Sequence, residues 1–588
     1  MITNPFAVIT PENITSEEIK DMFVENEDFS NLEQRGHTFI HGHRGCGKSM
    51  SLQVLRSKHY MLYKGYNNIE ELPFLCMYMT VKSSVLANIE LARVKDDILE
   101  KYLAEHMLCL QFAIKICEDL LNLISNEELN LNLVTIDRFI KRLQLIGFNI
   151  TSIDNNNFLN EILNIFNNQW IEDNKMRRSM SFLRNLEDIV EPKVLTTYHD
   201  FLKPLIETIK ELDISKKLNK DVYLLVDDAD NLPEIFTKIL NEWVSYRDLD
   251  TFSLKISTQL RYKTYLTTSN NRIERTHDYN EILFSYAVSS HTKTNYRNLV
   301  KDIIQKRLIK FGIDCEADSF FPEKNEQVQK ITIIKKTYNL TWKDGNGRGN
   351  AEHDDGNRYA RPDYIRDLGG ISKQKSNYSY SGFNQLVSIS SGIVRYFLEP
   401  ASKMYEEQKN KTPIVSIIEP SIQNTTIRNL SNEYFSKQFN DLEKDIGTNE
   451  YNDEKIKKLK NLITSLGENF HRILISNLSE RRVFSFAISD DVNKDKELKQ
   501  ILQLGIEYGL LFESRIGRKN SSGRTELYIL NRMLAPHFIL DPNGFSGYQS
   551  LTTSWLKEAF LNPNHKFKKL QNEDISSLEY IQPTLPGL

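Results

Sequence analysis

The chain has 588 residues, of which 40% are hydrophobic and 26% charged, with a formal net charge of −4. That composition belongs to a globular chain of about three or four domains, and the acidic balance excludes an indiscriminate polyanion binder, so any contact with nucleic acid has to be local. No run of about 18 apolar residues is present to cross a bilayer, and the opening MITNPFAVITPENITSEE has neither the basic nor the apolar region of a secretion signal, so a cytoplasmic protein with no membrane partner is expected.

The first predicted strand is HTFIH, His37 to His41. It runs into GHRGCGKS, which satisfies G-x-x-x-x-G-K-[ST] at Gly42, Gly47, Lys48 and Ser49, with an extra Gly45. Glycines at these places let the backbone turn tightly enough for successive N–H groups to face phosphate oxygens, and a helix beginning near Lys48 adds its positive dipole end. Lys48 supplies a charge for the outer phosphates and the Ser49 hydroxyl a ligand for Mg²⁺. The expected nucleotide contacts are Gly42, His43, Arg44, Gly45, Cys46, Gly47, Lys48, Ser49 and Met50. SMSLQVLRS after the loop has helical apolar spacing. His41 and His43 resemble a metal pair, but no Cys or carboxylate stands at ligand spacing, and Mg²⁺ is the one metal expected. Cys46, Cys76, Cys109, Cys117 and Cys315 lack the paired spacing of a disulfide framework or zinc ribbon.

FLCMYMTVK (Phe74 to Lys82) reads as a second buried strand, and about Leu86 to Leu218 as an all-helical insertion with one interruption, at IDNNN. DVYLLVDDAD (Asp221 to Asp230), FSLKISTQ (Phe252 to Gln259) and NEILFSY (Asn280 to Tyr286) are three further strands. Helices alternating with apolar strands predict an α/β core with a parallel sheet covered on both faces. YLLVDD has the form of a Walker B strand: Asp227 is placed to hold the Mg²⁺ water shell opposite Ser49, and Asp228 to orient or deprotonate an attacking water. Thr258, between Ser257 and Gln259, ends the next strand, either as a sensor of the outer phosphate or as a polar cap.

About Asp314 to Ser381 is rich in Gly, Asn, Asp, Arg and Tyr and reads as a long, partly flexible loop. Helical pattern resumes at FNQLVSISSGIVRYFLEPASKMY and continues to about Ile446, before the charged break GTNEYNDEK. ELKQILQLGIEYGLL then forms an amphipathic helix with Leu498, Ile501 and Leu502 on one face, followed by a hairpin, LLFESRIGRKNSSGRTELYILN. Helix and hairpin together read as a winged helix. Arg515, Arg518, Lys519 and Arg524 crowd its tip, as candidate DNA-phosphate contacts or as a solvated turn, while Tyr508 and Phe512 read as core.

The order of Walker A, Walker B, a polar strand tip, the Arg-bearing NRIERTHDYNEI and a helical unit containing SSGIVRYFLE resembles an AAA+ ATPase, and within that class the origin-recognition-complex (ORC) and initiator ATPases. Bacterial ORC-like ATPases are similar through RPDYIRDLGG and YSGFNQLVSISSGIVRYFLEP as well, so the likeness extends over nearly the whole chain. It implies that Asn4, Pro5 and Phe6 lie by the adenine and that Arg395, in a lid helix opening S-G-x-x-R, is the sensor 2 arginine. Arg272 and Arg275 fall where such proteins carry an arginine finger, by position alone. The chain departs from the class at Asp228, where AAA+ enzymes usually carry Glu, and in the length of its helical insertion. Asp-Asp is typical of STAND-class signalling ATPases.

The expected layout is an AAA+ core over 1–312 with the insertion at about 86–218, a loop-rich insertion over 313–381, a helical lid with sensor 2 over 382–446 and a winged-helix-like domain over 447–588. The expected function is an ATP-binding, slowly hydrolysing, Mg²⁺-dependent switch that forms homo-oligomers and engages DNA through the winged helix, in mobile-element replication or antiphage defence. Its catalytic group is Lys48, Asp228, Thr258 and Arg395. The alternative is a signalling ATPase whose insertion and winged helix bind a sensed protein or a separate effector without DNA. No nuclease, protease or deaminase constellation is evident, and no LSGGQ-like transporter signature.

Overall fold

Val222 to Val226 is an unbroken apolar run, which is stable as a strand only where both faces of its sheet are covered. In the computed structural model it forms most of β3 (Asp221–Asp227), within a five-stranded sheet that also holds β1 (Thr38–Gly42), β2 (Phe74–Thr80), β4 (Ser253–Thr258) and β5 (Asn280–Phe284). The order is β2-β3-β4-β1-β5 and every neighbouring pair is parallel. All five strands lie where the apolar runs placed them. The structure describes residues 4–8, 10–11, 14–81, 96–125, 129–180, 194–260, 262–284, 290–370, 378–444, 453–478, 481–490, 495–517, 524–543 and 547–567. The chain divides into two units, Ile9–Ser285 and the combination of Met1–Val8 with Tyr286–Leu588.

In the first unit, α1 (Ser16–Met22) and α2 (Phe29–Leu32) precede β1, and α3 (Lys48–Leu55) and α4 (Ser57–Lys64) join β1 to β2. The helical insertion contains α5 (Asp97–Ile124), α6 (Leu133–Ile146), α7 (Phe158–Met180) and α8 (Lys203–Glu211), and α9 (Glu234–Ser245) leads from β3 to β4. The insertion breaks at Asn130 to Asn132 as well as at IDNNN. There Leu131 bridges Asp213, and the Asn132 side chain caps α6 by accepting from Thr135 N, a competing backbone partner that favours a break over a continued helix. Register pairs Thr80 with Asp227 and His41 with Thr258, so β1 to β4 end at one edge of the sheet, where open α/β sheets bind ligands.

The second unit runs through α10 (Ser290–Lys310), α11 (Ala317–Phe320), α12 (Asn325–Thr341), α13 (Asp354–Gly370), α14 (Phe383–Ile389), α15 (Val394–Lys411), α16 (Pro420–Lys444) and α17 (Asp453–Ile475). The stretch expected to be a long loop is instead largely the paired helices α12 and α13. Composition misleads because Gly345, Gly347 and Gly349 gather in the turn, while Tyr359, Ala360, Tyr364 and Ile365 recur at helical spacing and are buried. Pro362 lies within α13, where its missing donor is costly. Asp363 on the same helix anchors it, accepting from Arg481 at 2.7 Å and from Tyr338.

The carboxy-terminal part adds β6 (Val483–Ile488), α18 (Lys496–Glu507), β7 (Leu511–Gly517), β8 (Arg524–Leu530), β9 (Gly547–Leu551) and α19 (Thr553–Leu561). The sheet order is β7-β8-β6-β9, and β7 and β8 form an antiparallel hairpin from Leu511 opposite Leu530 to Gly517 opposite Arg524. Leu498, Ile501 and Leu502 bury one face of α18, and Phe512 is core as expected. Among the described residues no helix is long and apolar enough to cross a membrane.

Candidate nucleotide-binding site

The loop between β1 and α3 is built on backbone that side chains resist. Gly45 and Gly47 have φ of 86° and 108°, a region open to glycine at little cost. Gly42 is required for a different reason: a Cβ there would meet Cys46 Sγ at 2.7 Å and Phe284 O at 2.9 Å. Lys48 opens α3 and is buried, its Nζ donating to Gly42 O at 2.7 Å and His43 O at 3.1 Å. Burial and the Lys48 charge push the His43 imidazole down to about 4, so it is neutral at physiological pH. Arg44 is largely exposed and lies 3.9 Å from Asp230, while Cys46 is buried beneath the loop and Met50 packs against the core.

Asp227, at the tip of β3, is fully buried. Ser49 lies near enough to this carboxylate to favour its charged form, so the two expected metal ligands share one neighbourhood. The Ser257 hydroxyl donates to Asp227 Oδ1, and the Tyr78 hydroxyl donates to Oδ2 at 2.8 Å. Burial raises the pKa of Asp227 above the usual carboxylate range and Asp228 adds to the rise, while the three hydroxyl partners oppose it. Asp228 has φ 57°, and its N–H donates to Asp227 Oδ1 at 3.0 Å and to Ser257 Oγ at 3.1 Å.

Thr258 is fully buried at the tip of β4, and its Oγ1 has no hydrogen-bond partner among the described residues. Tyr78 was not singled out from the sequence, and Ser257 figured only as a neighbour of Thr258. Tyr78 carries no motif; its place follows from the parallel register that sets Thr80 beside Asp227. Arg275 pairs with Glu281 at 3.1 Å with its side chain 62% exposed, and Arg272 lies over the Tyr265 ring. His41 Nδ1–H donates to Gln259 O at 3.3 Å, and the ring stacks on Phe39.

A model of the ORC-CDC6-like family matches residues 4–551, most of the sequence. The chain belongs to the ORC-CDC6-like family. It is a P-loop AAA+ protein with a parallel-sheet α/β core, a helical insertion, further helices in the second unit and a carboxy-terminal winged-helix domain. No curated protein matches the sequence. Among solved structures, the Aeropyrum pernix ORC1 protein in complex with DNA is 8% identical over 88% of this chain and 94% of its own, with a TM-score of 0.27. Cdc6p from Pyrobaculum aerophilum is 13% identical over 90% and 93%, also at 0.27. Drosophila ORC bound to DNA is 9% identical over 87% and 92%, at 0.21.

In this ORC-CDC6-like chain the remaining expected site residues fall in the second unit. Arg395 is in the first turn of α15, after a bend in which Ser391 and Gly392 have φ of 54° and 81°. Pro5 and Phe6 belong to a docked amino-terminal segment. Phe6 is fully buried among Phe320, Phe321 and Tyr405, and Arg307 donates to Pro5 O at 2.9 Å. The turn at 518–523 and the side chains of Arg515 and Arg524 lie outside the described residues, so the expected cations Arg515, Arg518, Lys519 and Arg524 have no structural account.

Proposed function

We propose that the chain is an ATP-binding, slowly hydrolysing switch. The observation that carries this reading is the meeting of Ser49 and Asp227 beside a glycine-shaped loop: a hydroxyl and a buried carboxylate are the hard oxygen donors Mg²⁺ takes. The buried, unpartnered Thr258 hydroxyl at the same sheet edge fits a polar ligand there too. Residues Gly42 to Met50 would hold the nucleotide, Lys48 its outer phosphates, and Ser49 with Asp227 the metal. Bound Mg-ATP would supply an activated phosphoryl group with its charge partly neutralised.

Asp228 accepts the proton of the attacking water. It is one methylene shorter than Glu and held by its backbone beside Asp227, which limits its reach and keeps turnover slow. Arg395 serves as the lid arginine, and Asn4, Pro5 and Phe6 as the adenine-side segment, both on the strength of the family likeness. Homo-oligomers form with Arg272 or Arg275 as the finger. DNA is engaged by the wing, where Arg515, Arg518, Lys519 and Arg524 neutralise phosphates. A second reading, a sensor of a protein ligand, is favoured by α6, which leaves Leu133, Val134 and Leu145 exposed on the insertion.

Calorimetric titration of Mg-ATP tests the first reading, with binding expected for the native chain and lost in Lys48→Ala. Uptake that Lys48→Ala leaves unaltered would remove it. DNA binding measured against salt, with and without ATP, separates the two readings: Arg518→Ala with Lys519→Ala lowers the salt dependence in the first and changes nothing in the second.

A further inference from the structure

The P-loop helix does not continue past Leu55. Arg56 turns the chain with φ −53° and ψ 128°, and α4 restarts at Ser57. The first turn of α4 opens onto a cavity of about 320 Å³, lined by Arg56, Ser57, Lys58 and His59, with Glu17 from α1 and Asp119 from α5 facing them. The 8 residues of α3, at roughly 1.5 Å each, separate this cavity from Lys48 by about 12 Å. It is therefore a different place from the phosphate loop at the other end of the same helix.

Three observations point to an anion. The backbone N–H groups of Ser57, Lys58 and His59 have no acceptor among the described residues, and they carry the positive end of α4. Arg56 and the exposed Lys58 supply two cations at the same turn. His59 is 8% exposed; its Nδ1–H donates to Gln53 O at 2.8 Å, leaving Nε2 without a partner among the described residues. Burial lowers the His59 pKa, its bond to Gln53 O and the charge of Glu17 oppose that, and Arg56 and Lys58 lower it further; an anion beside the ring would favour its protonated form. Glu17 and Asp119 are the opposing charges, and Asp119 is already committed to Arg56 and to the Tyr78 N–H at 2.9 Å. Three converging N–H groups, two cations and an imidazole suit a tetrahedral oxyanion. At about 320 Å³ the space is at the lower end of small-molecule pockets and exceeds a lone phosphate.

We propose that this cavity binds the phosphate group of a small phosphomonoester, seated on the first turn of α4 between Arg56, Lys58 and His59. Binding there bears on the nucleotide site through a short chain of contacts. Arg56 pairs with Asp119, Asp119 accepts from Tyr78 N, and Tyr78 OH donates to Asp227. An anion that draws Arg56 from Asp119 loosens the donor to the metal-holding acid. That link rests on the nucleotide reading of Asp227; the binding itself does not.

The test uses the full chain carrying Lys48→Ala, which disables the phosphate loop, and titrates inorganic phosphate and glycerol 2-phosphate separately by calorimetry. Both should bind saturably, glycerol 2-phosphate at least about three-fold tighter, and adding Lys58→Glu should weaken both by roughly ten-fold without changing the melting temperature. No saturable binding, or binding indifferent to Lys58→Glu, overturns the site. Equal affinity for the two compounds makes free phosphate the ligand and overturns the phosphomonoester assignment. Mg-ATP binding by the Lys48-intact chain is measured in parallel. Its failure with phosphate binding retained removes only the link to Asp227.

Discussion

The hydroxyl of Tyr78 donates to Oδ2 of Asp227 at 2.8 Å, tying the middle of β2 to the acid at the tip of β3. Asp227 is fully buried, and burial is the main influence raising its pKa. Each hydroxyl donor therefore helps to keep it ionised. A hydrogen bond to a charged group contributes about 1.5–3 kcal/mol, so Tyr78→Phe should raise the Asp227 pKa further and weaken Mg-ATP binding by roughly ten-fold. The sign with pH follows: a protonated Asp227 is a poor metal ligand, so affinity falls as pH falls, and in Tyr78→Phe that fall begins at a higher pH. Mg-ATP titrations between about pH 5.5 and 8 check both effects.

Asp228 stands at φ 57°, a conformation that costs most L-residues about 1–2 kcal/mol and that Asn and Asp tolerate best. Asp228→Asn should therefore fold normally and bind nucleotide, while phosphate release drops by about 10²-fold or more through loss of the base. Asp228→Glu should behave oppositely: less stable by about 1 kcal/mol in urea melts, yet faster in phosphate release because the carboxylate reaches further. Unchanged turnover in both variants would show that Asp228 does not touch the water.

The strands and the phosphate loop were legible in the sequence because each rests on local chemistry: an apolar run such as YLLVD, or glycines where φ must be positive. The expectation that Ser49 and Asp227 share a metal rests on the same kind of local pattern. Tyr78 was not legible, since its contact with Asp227 depends on the register of two strands separated by the whole insertion. The α12–α13 pair was hidden by glycines that belong to its turn. The seat of the amino terminus was equally hidden, because Asn4 meets Ser402 across 398 residues of chain.

Lys255 gives a stability signature at alkaline pH. It is fully buried in β4, its Nζ donating to Gln34 O, to Gly36 O at 3.0 Å and to Thr38 Oγ1 at 3.1 Å, 4.9 Å from the Tyr223 ring centre. Burial brings its pKa down to about 8, against about 10.4 in the unfolded chain. Between those values the unfolded state holds more protons, so this residue makes stability rise with pH, by at most roughly 1.4 kcal/mol per pH unit. Below about pH 8 its cost is constant. Urea melts at about pH 8 and 9.5 should show the native chain gaining relative to Lys255→Met, other titrating groups being common to both. A constant difference between the two proteins would mean that Lys255 stays charged.

The amino-terminal segment has a structural role separate from any nucleotide. The Asn4 amide donates to Ser402 O at 2.9 Å, Ser402 Oγ at 3.0 Å and Glu406 Oε1 at 2.7 Å, and its Oδ1 accepts from Phe6 N at 2.9 Å. Arg307, buried and with its pKa lowered to about 10 by desolvation, donates to Pro5 O at 2.9 Å and to Ala7 O at 3.1 Å. Phe6 fills an aromatic pocket with ring centroids 5.5 to 6.0 Å away. Truncating a buried Phe costs about 3–5 kcal/mol through lost transfer energy and the cavity left behind, and stranding a buried Arg–carbonyl contact costs about 1–3 kcal/mol. Without any nucleotide, Phe6→Ala should therefore lower the melting temperature strongly and Asn4→Ala moderately. A segment that ordered only beside adenine would leave both nucleotide-free melts unchanged and show its loss only in the affinity for Mg-ATP.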